Sequence, residues 1–420
     1  MVSYQLEPEQ QDLRDSVAQF AREVVAPVIG GYYERGEFPY DIVAKMGKLG
    51  LFGLPFGEEY GGMGGDYFAL GLALEELARV DSSVAITLEA GVSLGAMPIY
   101  RFGREEQRRR WLPELCAGER LAAFGLTEPG GGSDIPGSMR TTARLEEGEL
   151  GEGEWVIDGS KAFITNAGTS ITSLVTVLAI TGRDDGGGKE ISSVIVPAGT
   201  PGFVPGPEYS KVGWCASDTR ELSFDGCRVP AGNLLGERGR GYAQFLRTLD
   251  EGRVAIAALA TGLAQGCVDE CVRYAGQREA FGRRLGQHQA IQFAIADMEA
   301  RAHVARLAWY HAAARLVAGQ PIKKEAAIAK LTASNAAMDN ARAATQVFGG
   351  YGFMNESPVA RFYRDAKVLE IGEGTSEVQR MLIARELGLG SSDQGSSNQG
   401  SSKASGAQAS GAQAVRGPHG

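Results

Sequence analysis

The stretch "EWVIDGSKAFI", Glu154 to Ile164, sets an Asp158-Gly159 pair between two short runs rich in aromatic and β-branched residues. Asp-Gly between apolar runs signals a hairpin, because the tightest two-residue turn needs φ > 0 at both positions and these residues tolerate it. "ELSFDGCRV", Glu221 to Val229, repeats the device at Asp225-Gly226. Together they predict a β domain of hairpins over residues 121–235. Helical spacing flanks it on both sides. In residues 1–120, "QQDLRDSVAQFAREVV" lines up Leu13, Val17, Phe20 and Val24 on one stripe, and "YFALGLALEELARV" has the same texture. Residues 236–388 hold three long amphipathic segments, "GRVAIAALATGLAQGCVDECVRYAG", "QHQAIQFAIADMEARAHVARLAWYHAAARLVAG" and "KKEAAIAKLTASNAAMDNARAATQVFG". With a shorter helix after Glu373 these are the parts of a four-helix bundle. Residues 389–420 are Gly, Ser, Gln and Ala in crude repeats, a composition that buries too little surface to fold, and they read as a disordered tail. The expected class is α+β: an N-terminal α-helical domain, a middle antiparallel β domain and a C-terminal four-helix bundle.

Composition narrows the function classes. A chain of 420 residues exceeds one ordinary core, and 43% hydrophobic with 22% charged residues describes a globular protein. A formal charge of -9 argues against nucleic-acid binding, which needs Lys and Arg in excess. The first residues lack a basic flank followed by an apolar core, and no uninterrupted apolar run reaches about 18 residues, so neither a secretory signal nor a membrane span is read. Cys116, Cys215, Cys227, Cys267 and Cys271 are scattered and odd in number, as for buried thiols in a reducing compartment, and the expected location is cytoplasmic.

Several familiar motifs fail their context. "GVSLG", Gly91 to Gly95, fits a hydrolase elbow but lies in helical texture rather than between a strand and a helix. The four histidines, His288, His303, His311 and His419, lack metal-ligand spacing, and no metal is implied. "GGGKE" around Lys189 lacks the upstream glycine and the Ser or Thr of a P-loop. More informative is "AFGLTEPGGGSD", Ala123 to Asp134, where a β-like run ends in three glycines whose backbone can approach an anion closely. "GSKAFITNAG" offers the aromatic Phe163 beside Thr165, and Gly349-Gly350 stop a long helix.

Taken together, "LTEPGGGSD", "AFITNAG", "LDEGR", "REAFG", "HQAI", "QVFGGYGF", "RDAK" and "GEGTSEVQR" stand in the order and at the separations of acyl-CoA dehydrogenases, and the chain resembles that family over residues 4–388. The resemblance implies the same three-domain fold, a homotetramer, and FAD as cofactor. It implies oxidation of an acyl-CoA thioester to the trans-2-enoyl-CoA, with a carboxylate removing the α proton, the β hydrogen leaving as hydride to the flavin, and electrons passing to an electron-transfer flavoprotein. Rival readings are an acyl-CoA oxidase that uses dioxygen and a non-catalytic binding protein of the same fold.

Carried over by position, the resemblance puts the catalytic base at Glu373. It puts flavin contacts at Phe124, Leu126, Thr127, Ser133, Phe163, Ile164 and Thr165, and contacts across a subunit interface at Arg278, Phe281, Gln289, Gln346, Gly349 and Gly350. Thr375 and Glu377 match positions near the FAD pyrophosphate and ribose. Ser133, Asp250, Arg253 and Gly374 match acyl-CoA contacts. Some relatives carry the base one residue before the arginine of "LDEGR"; here that residue is Gly252, and Glu251 is the second candidate. An α proton beside a thioester is far too weakly acidic for a carboxylate of pKa ~4.3, so the site must raise that basicity by desolvation and stabilise the enolate oxygen, in the family through a ribityl hydroxyl and the glutamate N–H. Two residues depart from the family: Phe163 stands where many members have Trp, and Gly372 where many have Tyr, which removes a wall beside the base. "TSEVQ" after it reads as a capping box from Ser376 to Gln379.

Overall fold

The computed structural model describes residues 5–147, 153–183 and 186–389. The segment read as a tail lies, from residue 390 on, outside the described residues. Helices come first: α1 (Pro8–Phe20), a π-helical turn, α2 (Ala26–Arg35), α3 (Tyr40–Lys48), α4 (Tyr67–Ala78), α5 (Ser82–Glu89), a π-helical stretch Ala90–Ala96, α6 (Met97–Phe102) and α7 (Glu105–Cys116). Val17 and Phe20 are buried, with Leu13 and Val24 packed against the same core, as the stripe required. Aspartates start the two central helices: Asp66 accepts from the Ala69 N–H and Asp81 from the Ser83 and Val84 N–H groups. Both helices are buried nearly all round and run through the core. "GVSLG" lies in the π-helical stretch, with Ser93 buried.

A mixed eight-stranded sheet follows. Its strands are β1 (Leu121–Gly125), β2 (Thr142–Glu147), β3 (Gly153–Thr165), β4 (Thr172–Arg183), β5 (Lys189–Pro197), β6 (Phe203–Glu208), β7 (Thr219–Pro230) and β8 (Leu234–Leu235), with α8 (Ile135–Ser138) between β1 and β2. The order is β6-β7-β3-β2-β4-β5-β8, with β1 beside β4. Most pairs are antiparallel, but β1 lies parallel to β4, and β2 meets β4 in parallel through a single pair, so the sheet is not purely antiparallel as expected.

Neither Asp-Gly pair is a hairpin turn. β3 and β7 run straight through them, and the two pairs oppose each other as bulges in adjacent strands. The ladder pairs Ile157 with Cys227 and resumes at Gly159 with Phe224. The Gly226 N–H donates to Asp158 Oδ1 at 2.8 Å across the gap. Gly159 has φ 144° and Gly226 φ 56°, so the conformational demand read from the sequence is real but is met inside long strands. A Cβ on Gly159 would stand 2.7 Å from Thr141 Cα.

The last region contains α9 (Gly241–Gln277), α10 (Gln289–Val317), α11 (Lys323–Phe348), α12 (Pro358–Leu369) and α13 (Ser376–Glu386). The three long helices pack on one another as a bundle; α12 is an element the sequence reading lacks. Two helical spans, Ser82–Phe102 and Gly241–Gln277, have the length and apolar composition to cross a membrane, but 94% and 89% of their most apolar windows are buried inside the protein. Both are core helices. Cys267 and Cys271 share the buried face of α9, and all five cysteines are free thiols.

Side chains on α12 tie the three regions together. Asp365 accepts from Tyr33 Oη on α2 at 2.6 Å, from Ser82 Oγ on α5 at 2.7 Å and from the Trp214 N–H of the β6–β7 connection at 2.7 Å. On the other side of the core, Glu75 of α4 accepts from Arg306 and Trp309 of α10 at 2.6 and 2.8 Å.

Candidate active site

Helix α12 ends in a tight turn, with the Ile371 and Gly372 N–H groups both donating to Val368 O. The chain then adopts left-handed φ at two successive residues, 52° at Glu373 and 89° at Gly374. Such a conformation at a glutamate costs about 1–3 kcal/mol and persists only where the surroundings fix it. Here Arg253 Nε and Gln379 Nε2 donate to Glu373 O at 3.4 and 3.3 Å, while Gln379 Nε2 and Lys330 Nζ donate to Gly374 O at 2.8 and 2.9 Å. The φ of 89° is what favours glycine at 374, where a Cβ would also lie 2.8 Å from Gln379 Nε2. The expected capping box is displaced: Thr375 caps α13, its Oγ accepting from the Val378 N–H, and Ser376 is the first helical residue. The Gln379 amide is consumed by the two carbonyls instead.

Both Glu373 carboxylate oxygens are buried without a hydrogen-bond partner. Burial pushes the group up to about 7, against the lowering influence of Arg253, Glu89 and Lys330. Glu89, on α5, is also fully buried, and desolvation followed by the charge of Glu373 drives its carboxyl well above the usual range. Desolvation is the leading cause for both carboxyls. The row continues through Ser93 to Tyr67, each interacting with the next, yet no side-chain oxygen among these four residues is satisfied by the protein.

Gly252 explains how the carboxylate fits. A Cβ there would stand 2.5 Å from Glu373 Oε2, so the glycine of "LDEGR" vacates the space the base occupies. The second candidate, Glu251, is engaged elsewhere, with Arg101 Nη2 at 3.3 Å and Arg247 Nε at 3.7 Å. Arg253 is buried and paired with Asp250 one turn earlier on α9.

The cradle expected for the flavin forms beside this point. Phe124 and Leu126 join Met139 of the β region, Leu94, and Phe245 and Leu249 of α9 in one apolar cluster; Phe124 stacks on Phe245 with ring centroids 3.9 Å apart. These two side chains are core, so any cofactor contact there falls to backbone and loop. Thr127 O accepts from the Ala162 N–H, and behind it a buried ion pair, Lys161 Nζ to Glu128 Oε1 at 2.9 Å, fixes the loop; the other ammonium contact is Leu126 O. Neither residue of this pair was foreseen. Ser133 is exposed at the loop tip, where Cβ atoms at Gly130 and Gly132 would meet nothing within 4 Å. Ile164 is buried, while Phe163 turns outward at φ 62° and is 67% exposed, its ring 5.5 Å from Tyr209. Thr165 ends β3 opposite Thr219. Thr375 and Glu377 open α13 next to Gly374, Glu377 being exposed.

The remaining predicted residues lie at the other end of the bundle. Arg278 caps α9 far beyond Arg253, roughly 37 Å along a helix that rises 1.5 Å per residue. Phe281 is 96% exposed, and Gln289, Gln346, Gly349 and Gly350 are exposed too. Tyr274 stacking on Phe348 at 4.1 Å brings the ends of α9 and α11 together there. One chain therefore brings Arg253, paired with Asp250, to the Glu373-Gly374 turn, and packs Phe124 and Leu126 on the same helix α9, while the second group lies at its far end.

Three family models match in succession: the acyl-CoA dehydrogenase N-terminal domain over residues 7–119, the middle domain over 123–227 and the C-terminal domain over 239–388. The chain belongs to the acyl-CoA dehydrogenase family. It is 46% identical over 386 residues to the probable acyl-CoA dehydrogenase YngJ of Bacillus subtilis (strain 168), spanning 92% of this chain and all of that one. Among solved structures, butyryl-CoA dehydrogenase of Megasphaera elsdenii superposes with a TM-score of 0.87 at 40% identity, covering 92% of this chain and 100% of the other. A chain from a structure of the electron transferring flavoprotein of Acidaminococcus fermentans, described in connection with flavin-based electron bifurcation, matches with a TM-score of 0.87 at 41% identity over 92% of this chain and 99% of that one. Acyl-CoA dehydrogenases are FAD-dependent oxidoreductases acting on CH–CH donors. The residues present suit that cofactor: the outward aromatic face of Phe163, the open glycines Gly130 and Gly132, and, at the far end of the bundle, a bare aromatic and two glycines with free space around them.

Proposed function

We propose that this acyl-CoA dehydrogenase converts a short or branched acyl-CoA to its trans-2-enoyl-CoA, with Glu373 as the base, in a homotetramer that works in the cytoplasm and passes electrons to an electron-transfer flavoprotein. The observation that carries the reading is the Glu373 carboxylate, buried, unpaired, raised to about 7 and aimed into the space above Gly252. At that value it is ionised near neutral pH and basic enough to take a proton from a carbon beside a polarised thioester. Among the described residues the Glu373 N–H has no acceptor, leaving it available to the thioester oxygen as negative charge develops. The proton moves from the α carbon to a Glu373 oxygen. Bound FAD would supply the hydride acceptor for the β hydrogen.

The substrate class rests on Gly372. A Cβ there would meet only Val368 O, at 3.5 Å, so the side opposite is open where many relatives place a tyrosine. The butyryl-CoA named for a structural neighbour favours a short acyl chain. The acceptor is supported by the neighbour solved in connection with an electron transferring flavoprotein, and the compartment by the five free thiols. Purified holoenzyme assayed with straight and branched short acyl-CoAs, using electron-transfer flavoprotein or dioxygen as acceptor, tests the reading. Turnover of branched substrates that Gly372→Tyr abolishes, while sparing butyryl-CoA, is the expected result; an unchanged preference in that variant contradicts the substrate class, and rapid peroxide formation points to an oxidase.

A further inference from the structure

A fully buried ammonium on α11 has no place in the chemistry described so far. Lys330 lies on a stripe of small buried residues, Ala326, Ala327, Ala333, Ser334 and Ala337, and is itself 0% exposed. No carboxylate among the described residues lies within salt-bridge distance of it. Its hydrogen bond goes to a backbone carbonyl, Gly374 O, directly after the base. Gln379 from α13 donates to the same carbonyl, and Ser334, one turn along α11, donates to Leu369 O at the end of α12. The loop that carries Glu373 is thus bracketed from α11 at Leu369 and at Gly374, and Gly374 is one of the two successive residues with left-handed φ.

We propose that Lys330 is a positioning residue for the proton abstraction: it pins the Gly374 peptide so that the Glu373 carboxylate and N–H face the substrate, and its charge holds Glu373 in the ionised form. The proposal rests on Glu373 being the base. Burial lowers the Lys330 ammonium to about 8, and the carboxylate of Glu373 is the leading influence that resists this fall. The same attraction lowers Glu373, alongside Arg253. The charged or titratable groups around the base are then Arg253 with its partner Asp250 on α9, Lys330 on α11, and Glu89 and Tyr67 from α5 and α4; those around Lys330 are Glu373, Arg253, Glu370 and Glu377. Removing the Lys330 charge destabilises the carboxylate form of Glu373, so the pH at which the base ionises must rise.

Two variants separate the roles. Lys330→Gln keeps a donor for Gly374 O without the charge, and Lys330→Met removes both. Holoenzyme of each is assayed for kcat and KM across pH, with FAD content and Tm measured alongside. For Lys330→Met the expected loss is about 10²-fold in kcat with little change in KM, the size expected when a base is displaced by about 1 Å. Both variants should move the acid limb of kcat/KM to higher pH, and Lys330→Gln should recover part of kcat without recovering the pH profile. If Lys330→Met is too unstable to purify, the shifted limb in Lys330→Gln alone decides. Either variant with a wild-type profile and kcat, or one that lowers only Tm, overturns the proposal. Those outcomes leave the base assignment intact, whereas normal turnover by Glu373→Gln removes the base and this proposal with it.

Discussion

At residue 373 the backbone turns left-handed, the carboxylate oxygens are buried without a partner, and a second buried carboxyl, Glu89, stands nearby. The left-handed backbone costs stability, while desolvation, against the lowering influence of Arg253, Glu89 and Lys330, raises the carboxylate's proton affinity to the range a general base needs at neutral pH. The sign of the pH dependence follows. Glu373 acts only as carboxylate, and its value in the folded protein is raised to about 7, so kcat/KM should climb with pH through about 7 and level off above it. A limb centred near the ordinary glutamate range of ~4.3 would show that the carboxyl is solvated in the working enzyme. Glu373 was legible because a run of residues around it matches a family motif. Glu89 and Lys330 were not read, although each leaves a trace: Glu89 interrupts the apolar run Val84 to Leu94, and Lys330 sits on the small-residue stripe of α11. A single sequence does not reveal which of its charged residues point inward; that depends on which helix packs against them.

Among the elements, β3 and β7 carry the clearest lesson. Asp158-Gly159 and Asp225-Gly226 demand positive φ, and the structure supplies it, but as opposed bulges in long strands rather than as hairpin turns. Local chemistry fixes the conformation of a residue; whether the chain then reverses depends on partners elsewhere in the sheet. Gly159→Ala should therefore destabilise the protein by about 1–3 kcal/mol, from strained φ and the contact with Thr141, which chemical denaturation would measure. A change below about 0.5 kcal/mol would mean the bulge relaxes freely. Helix α12 was missed for a related reason: its proline start and the glycines before it read as a break, whereas Pro358 at the first helical position begins a new helix.

For the molecule as a whole, the order helical, β, helical was legible because texture changes over long windows, and Asp365 shows how the regions are locked once folded. That one group of contacts comes from across a subunit interface was implied by the resemblance alone. Arg278, Phe281, Gln289, Gln346, Gly349 and Gly350 lie at the end of the bundle remote from their own chain's base, which supports the proposal that each site draws them from another subunit. A chain carrying Glu373→Gln, co-expressed with one carrying Arg278→Ala and Phe281→Ala, should form mixed pairs in which one site of two is complete. Activity recovering toward half of wild type in the mixed assembly, with each parent alone impaired, is the expected outcome; no recovery would place these residues outside any shared site.

The most direct measurement is the reductive half-reaction of FAD-loaded Glu373→Gln, mixed anaerobically with butyryl-CoA and followed by flavin absorbance beside the wild type. Wild-type flavin should bleach within the mixing experiment, and the variant, with its FAD retained, should bleach at least ~10³-fold more slowly, within the range a positioned general base contributes. Bleaching of the variant at the wild-type rate would contradict the assignment of Glu373.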